Sequence, residues 1–197
     1  MKKKSDCVML AAGESSRMGE SKLLLPFGGK TLIECSVDGA LGACGRVILV
    51  TGHEAKELEK LFSGRAAVEL VHNPEYRKGM FTSIQVGVEQ VQSERFFIAL
   101  GDMPLVGKGL YRELLRYRDV PAVIPKYRGK KGHPVLLSKR VKDIIAKLGT
   151  DKTLRDALAK VETLAVPVKN RYILLDIDEQ QDYKTFTDGK AEQQWLR

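Results

Sequence analysis

Three cysteines, three histidines and one tryptophan in 197 residues leave little material for several kinds of protein. Cys7, Cys35 and Cys44 are odd in number and show no close metal-ligand spacing, which excludes a disulfide framework or a zinc knuckle. They read as reduced, mostly buried side chains. His53, His72 and His133 are isolated and make no zinc site. No apolar run approaches the roughly 18 residues of a membrane span. The opening MKKKSDCVMLAAG carries an apolar run of only about five residues, too short for a secretory signal. The expected address is the cytosol, with no membrane partner. Dinucleotide-binding glycines in a GxGxxG array are missing as well. Gly28-Gly-Lys-Thr31 has the ending of a Walker A loop, but Leu23 stands where the upstream glycine is required, so this segment reads as a turn into the next helix.

Hydrophobic residues make up 43% of the chain and charged residues 29%, a balance that excludes wholesale disorder. Thirty-three basic against 25 acidic residues give a formal charge of +8. That excess suits a phosphate-rich substrate, and charge alone would suit nucleic acid equally well. No compact aromatic-and-basic RNA motif is present, so no nucleic-acid partner is expected.

Short apolar runs alternate with longer amphipathic segments, the pattern of a layered α/β domain. Strands are expected at 7–11, 46–51, 68–71 and 96–100, with helices at 32–41, 54–62, 82–91 and 110–117. Beyond Pro125 the pattern changes to strands at 122–124, 135–137, 163–168 and 173–175, separated by helices at 141–148 and 154–161, with a last helix at 182–186. Repeated β-α units favour parallel strands. The expectation is a single three-layer nucleotide-binding α/β domain over 1–188, with a mostly parallel, mixed sheet and a peripheral tail at 189–197.

The first strand runs into Leu10-Ala-Ala-Gly-Glu-Ser-Ser-Arg-Met-Gly-Glu-Ser-Lys22. Small residues at Ala11, Ala12 and Gly13 allow close approach of a ligand or of neighbouring backbone, and loop N–H groups can form an anion nest. Arg17 can grip two phosphate oxygens in its planar fork, while Lys22 is a compact point charge. Both can stabilise a departing pyrophosphate. The plain alternative is a surface loop with two solvated cations.

Two acidic segments also follow apolar runs. Phe96-Phe-Ile-Ala-Leu100 would carry Asp102 of Gly101-Asp-Met-Pro104 to the carboxyl edge of the sheet, where open α/β folds place ligands. A carboxylate there can hold Mg²⁺ against phosphate oxygens, or it can simply cap a turn. In Asp176-Ile-Asp178, alternation lets both acids face one cleft if the strand continues, whereas Asp178 can cap a helix near Glu179 if the chain turns there. Asn73 can read a base edge or orient a ribose. Gly79 permits close approach, and Thr82 or Ser83 can cap the following helix or donate to phosphate. Pro125–Lys142 holds seven Lys/Arg and no acid. Such a run is commonly a solvated face, but Lys130 or Lys131 can guide a dianionic phosphate beside Gly132-His-Pro134. His133 is either an acceptor contact or a structural loop histidine.

Taken in order, Leu10-Ala-Ala-Gly-Glu-Ser-Ser-Arg-Met-Gly, Lys22, Leu24-Leu-Pro-Phe-Gly-Gly, Asn-Pro-x-Tyr-x-x-Gly-Met-x-x-Ser, Gly-Asp-Met-Pro, Gly-His-Pro and Leu175-Asp-Ile-Asp-Glu-Gln-Gln-Asp-Tyr183 resemble MobA/MocA-type nucleotidyltransferases, especially the molybdenum cofactor cytidylyltransferase branch. The resemblance covers residues 7 to about 183. It implies a Mg²⁺-dependent enzyme that uses CTP and a molybdopterin-type acceptor, with transient contact to a molybdoenzyme or its maturation factor. Leu10, Ala11, Ala12, Gly13, Asn73, Gly79 and Ser83 would border the nucleotide. Arg17 and Lys22 would engage its phosphates, Asp102 and Asp178 the metal, and Lys130, Lys131 and His133 the acceptor. Another nucleotide or phosphorylated acceptor is the nearest alternative, and a nucleotide-binding regulatory or chaperone-like protein the non-enzymatic one. One departure stands out: Gly149-Thr-Asp-Lys-Thr-Leu-Arg155 replaces the branch's usual Gly-Asp-x-Gly-Ala-Arg.

Overall fold

Alternation along the first strand sets the layers. Successive strand side chains point to opposite faces, and both faces here are apolar. Cys7, Met9 and Ala11 enter one hydrophobic cluster, Val8 and Leu10 the other. The computed structural model describes residues 5–13 and 21–174. Its first strand, β1 (Asp6–Ala11), is buried at every residue, as a parallel strand covered on both faces must be.

A short hairpin, β2 (Pro26–Phe27) and β3 (Lys30–Thr31), leads into α1 (Leu32–Leu41). Then come β4 (Arg46–Thr51), α2 (Ala55–Phe62), β5 (Val68–His72), α3 (Met80–Glu89), β6 (Arg95–Leu100), α4 (Lys108–Leu114) and β7 (Ala122–Tyr127). The later part contributes β8 (Lys130–Lys131), β9 (Val135–Ser138), α5 (Lys139–Lys147), α6 (Leu154–Leu158) and β10 (Thr163–Pro167). The main sheet runs β10-β7-β9-β6-β1-β4-β5, with β8 paired to β7. β9 is antiparallel to β6 and β7, and the two-residue β8 is antiparallel to β7, while the remaining pairs are parallel. The sheet is therefore mixed and mostly parallel, as expected.

Helices cover both faces and complete three layers. Val37 of α1, Leu58 of α2 and Leu114 of α4 pack with Met9 and Leu49. Ile84 and Val88 of α3, Val141 and Ile145 of α5, and Ala157 of α6 pack with Val8 and Val50. α3 lies so close to the sheet that a Cβ on Gly87 would fall 2.4 Å from Val8 Cγ1 and 2.6 Å from Val50 Cγ2. Among the described residues no helix is long and apolar enough to cross a membrane. All three cysteines are buried free thiols, and burial pushes the Cys35 thiol up to about 11.

Several boundaries differ from the sequence expectation for local reasons. Gly28 and Gly29 form the β2–β3 turn at φ 56° and 78°, a region open chiefly to glycine. Thr31 then caps α1 through a reciprocal box with Glu34. β7 continues past Ile124 through Pro125 because β10 runs beside it as far as Lys126. The strand expected at 173–175 is corrected: Arg171–Leu174 is a 3-10 turn. Asn170 Oδ1 accepts from Tyr172 N at 2.9 Å, a local side-chain bond that starts a turn in place of a sheet ladder. The expected helix at 182–186 and the boundary at 188 lie outside the described residues.

The amino edge of the sheet is locked by a polar cluster. Asp6 is 6% exposed. Its Oδ2 accepts from Arg46 Nη2, Gln92 N and Ser93 N, and its Oδ1 accepts from Arg46 Nε. Arg46 also reaches Glu69 Oε2 at 2.6 Å and the Gln90 carbonyl at 2.9 Å. Burial alone would raise the Asp6 carboxyl, but Arg46 and the two backbone N–H groups outweigh it and hold it below the usual range. Asp6 therefore adds stability above the unfolded value of about 3.9, and that contribution is lost as pH falls through the lower folded value. Asp6→Asn should cost about 3 kcal/mol at pH 7 by leaving the half-buried Arg46 short of a partner. Urea midpoints should show the gap from wild type narrowing below about pH 4.

Candidate active site

Parallel strands that share a direction deliver their outgoing turns to one edge, the usual ligand edge of an open α/β sheet. Here β1, β4, β5, β6, β7 and β10 all end there. The chain leaves β1 toward β4 and β5 and later returns on the far side to β6, so the topological switch lies between β1 and β6. β9 runs the other way and therefore starts at this edge, with Val135 opposite Ile98. Ala11, Ala12, Gly13, Asp102 and His133 are brought to one rim from distant parts of the chain.

The rim is built largely from main chain. Gly101 N donates to the Leu10 carbonyl at 2.9 Å, and His53 N lies 3.4 Å from the Ala12 carbonyl. Ser36 of α1, 2% exposed, donates to the Gly101 carbonyl at 2.9 Å. With Met103 and Val106 buried, the turn carrying Asp102 is held from both sides.

Lys22 begins a 3-10 turn, Lys22–Leu24, whose Leu23 is buried. Its Nζ lies 2.7 Å from Asp102 Oδ2, with the two side chains 18% and 16% exposed. Asp102 Oδ1 is buried and accepts no hydrogen bond. Just before Lys22, the Ser21 hydroxyl bonds to the Glu54 carboxylate, tying the end of the first loop to the turn after β4. Nothing in the sequence motifs singled out Ser36, Ser21 or Glu54. Glu54 did carry one signal, since it follows a strand end through Gly52 as Asp102 follows one through Gly101.

A cleft of about 990 Å³ opens between the start of α3, the β8–β9 turn and the segment leading into α6. Gly79, Lys131, Gly132 and His133 line it, and Lys130 does not. Its floor includes Ile84, Ile124, Val135 and Leu158, while Lys78, Lys131, Lys152 and Arg155 supply positive charge. Met80 is 60% exposed among these lining residues. Thr150 to Arg155, the stretch that departs from the usual family pattern, forms part of the same wall. Thr153 and Asp156 brace it through two 2.7 Å bonds from Thr153 N and Oγ1 to Asp156 Oδ2.

Other expected site residues have different posts. Asn73 is 1% exposed. Its Nδ2 donates to Thr82 Oγ1 and Ser83 Oγ, both at 2.9 Å, and its Oδ1 accepts from Glu75 N at 2.9 Å. Asn73 is thus a buried bolt joining the end of β5 to α3. Ser83 is buried too. α3 starts at Met80 after Gly79, and Thr82 Oγ1 turns back to the Gly79 carbonyl at 2.9 Å, so neither Thr82 nor Ser83 caps the helix. Arg17, Asp176 and Asp178 lie outside the described residues.

A profile of the MobA-like NTP transferase domain matches residues 7–165. The chain belongs to this family of nucleotidyltransferases. The MobA-like chain is 36% identical over 187 residues to molybdenum cofactor cytidylyltransferase of Escherichia coli (strain K12), across 95% of this chain and 97% of that protein. A nucleotidyl transferase from Methanothermobacter thermautotroptrophicus superposes with a TM-score of 0.81 at 28% identity, covering 94% of this chain and 96% of the other. The manganese complex of Rv0371C from Mycobacterium tuberculosis H37Rv superposes at 0.80 with 23% identity, over 95% and 100% of the two chains, a likeness of fold.

In this MobA-like domain the Gly-His-Pro segment is pinned by the chain that follows β10. His133 N donates to the Ile173 carbonyl at 3.0 Å. A Cβ on Gly132 would fall 2.0 Å from that same oxygen. Gly132→Ala should therefore push the 171–174 turn away from the Gly-His-Pro segment at a cost of about 1–3 kcal/mol. Urea unfolding reads the stability, and faster hydrogen exchange at the His133 amide reads the lost contact. Unchanged exchange would show that the turn does not depend on a bare glycine.

Proposed function

We propose that the protein transfers a cytidylyl group from CTP to the terminal phosphate of a molybdopterin-type cofactor, releasing pyrophosphate. The observation that carries this reading is the meeting of Lys22 and Asp102 at 2.7 Å beside the β1 turn. Similarity over nearly the whole length to a molybdenum cofactor cytidylyltransferase supports the choice of CTP and acceptor.

The residues suit a divalent cation. Asp102 offers a buried carboxylate oxygen with no protein donor on it, and among the described residues no group of three or more His, Cys, Asp or Glu forms a closed metal cage. Mg²⁺ commonly takes one or two carboxylates and completes its shell with substrate phosphates and water. Asp102 would hold it, with Asp178 as the second ligand. When bound, Mg²⁺ neutralises charge on the phosphates of the nucleotide.

The chain's own work is positioning and charge. Ala11, Ala12 and Gly13 bring backbone close to the nucleotide, while Arg17 and Lys22 take the β- and γ-phosphates. An ionised acceptor phosphate already has nucleophilic oxygens, so no serine nucleophile or histidine base is needed. One such oxygen bonds to the α-phosphorus as the bond from that phosphorus to the β-bridging oxygen breaks, and pyrophosphate leaves with the electron pair. Alignment of the two phosphates supplies much of the rate. The cleft lined by Lys131 and His133 receives the acceptor, with the apolar floor under its ring system and cations around its phosphate. A second reading, a different phosphorylated acceptor, is favoured by the altered Thr150–Arg155 wall.

Pyrophosphate release should be measured with CTP, GTP, ATP and UTP, with and without reduced molybdopterin-type acceptor. The expected result is turnover with CTP and acceptor together, and absence of product under metallated, reducing conditions refutes the proposal. Asp102→Asn and Lys22→Ala should keep the fold while lowering turnover by about 10²–10³-fold, the usual scale for losing one transition-state charge contact.

A further inference from the structure

Lys22 and Asp102 come from the exits of two different strands, yet their charged ends touch, and both side chains are more than four-fifths buried. Neither is a loosely held surface group. Buried Leu23 and the Ser21–Glu54 bond fix the turn that carries Lys22. Ser36 and Met103 fix the turn that carries Asp102. The carboxylate suited to a divalent cation is thus already engaged by an ammonium at Oδ2, while Oδ1 is buried without a partner.

We propose that this ion pair is a guard on the resting site: Lys22 holds the cation position at Asp102 until a nucleoside triphosphate arrives, so metal enters only together with nucleotide. The inference rests on Asp102 being the metal ligand in the function proposed above. An ammonium and a divalent cation on one carboxylate repel each other, and partial burial leaves that repulsion poorly screened. A bare cation must therefore compete with the Lys22 ammonium for Asp102 Oδ2. A triphosphate changes both sides of the balance, because its oxygens draw Lys22 Nζ away and fill the coordination shell that Mg²⁺ demands. Metal and nucleotide then raise each other's affinity by the same factor, as linkage requires. The arrangement keeps the site clear of bare metal and makes the metal–nucleotide complex the species that binds.

Binding of Mn²⁺ as a spin probe, followed by electron paramagnetic resonance on the full chain, tests this without turnover. Wild type, Lys22→Met, Asp102→Asn and the double variant are titrated with and without a CTP analogue carrying a methylene bridge between the α- and β-phosphates. Wild type should bind Mn²⁺ at least about tenfold more tightly with the analogue than without it, within the usual range of coupling between sites. Lys22→Met should bind Mn²⁺ alone about tenfold more tightly than wild type, from loss of the competing charge, and adding Asp102→Asn should erase that gain. Lys22→Gln serves if the Met variant does not give a native circular dichroism spectrum. If Lys22→Met binds Mn²⁺ alone no more tightly than wild type while the analogue still tightens wild type through Asp102, the guard is overturned and the metal assignment stands. If the gain persists after Asp102→Asn, or if Asp102→Asn leaves Mn²⁺ binding unchanged even with the analogue, the metal assignment falls and the guard with it.

Discussion

β1 hydrogen-bonds to parallel strands on both sides, and a parallel neighbour can be reached only by a crossover that brings the chain back to the starting edge. Everything at the rim depends on that constraint. It sends the exits of β1, β4 and β6 to one end of the sheet and leaves the switch point between β1 and β6. The Gly101 N–Leu10 carbonyl bond extends the pairing one step beyond β6. Lys22 and Asp102 meet because the two exits are held in register by the same ladder that builds the core.

The two edges of the sheet treat buried charge differently. At the amino edge the Asp6 carboxylate accepts four hydrogen bonds and Arg46 is paired on both sides. At the carboxyl edge Asp102 has one ion pair and one buried oxygen with no bond. Saturated polar clusters hold a fold rigid, whereas an incompletely satisfied carboxylate is high in free energy until another group binds it. That contrast places structural charge at one end of β1 and chemical charge at the other.

Much of the first half was legible in the residues because its signals are local. Apolar runs of strand length flank Gly-rich exits, and Asp102 is recognisable by its place after Phe96–Leu100. Readings that failed were those where a few side chains outvote the pattern. Ile173 reads as strand, yet Asn170 closes a turn and the Ile173 carbonyl is taken by His133 N. The hydrogen-bond partners of Asn73 were not legible locally either, since Thr82 and Ser83, nine and ten residues on, take both of its amide hydrogens. Lys130 and Lys131 are indistinguishable in sequence, and the β7–β8 pairing puts one of them on the cleft.

By itself the sequence determined the α/β class, the family, and the supply of small residues, cations and acids at strand exits, because these depend on periodicity and composition within short windows. Only the tertiary structure decided which of those groups meet. The Lys22–Asp102 contact, the Ser36 prop under Gly101, and the close fit of Gly132 against Ile173 join residues 80, 65 and 41 positions apart. Such distances are closed by sheet order and helix packing, which no local window encodes.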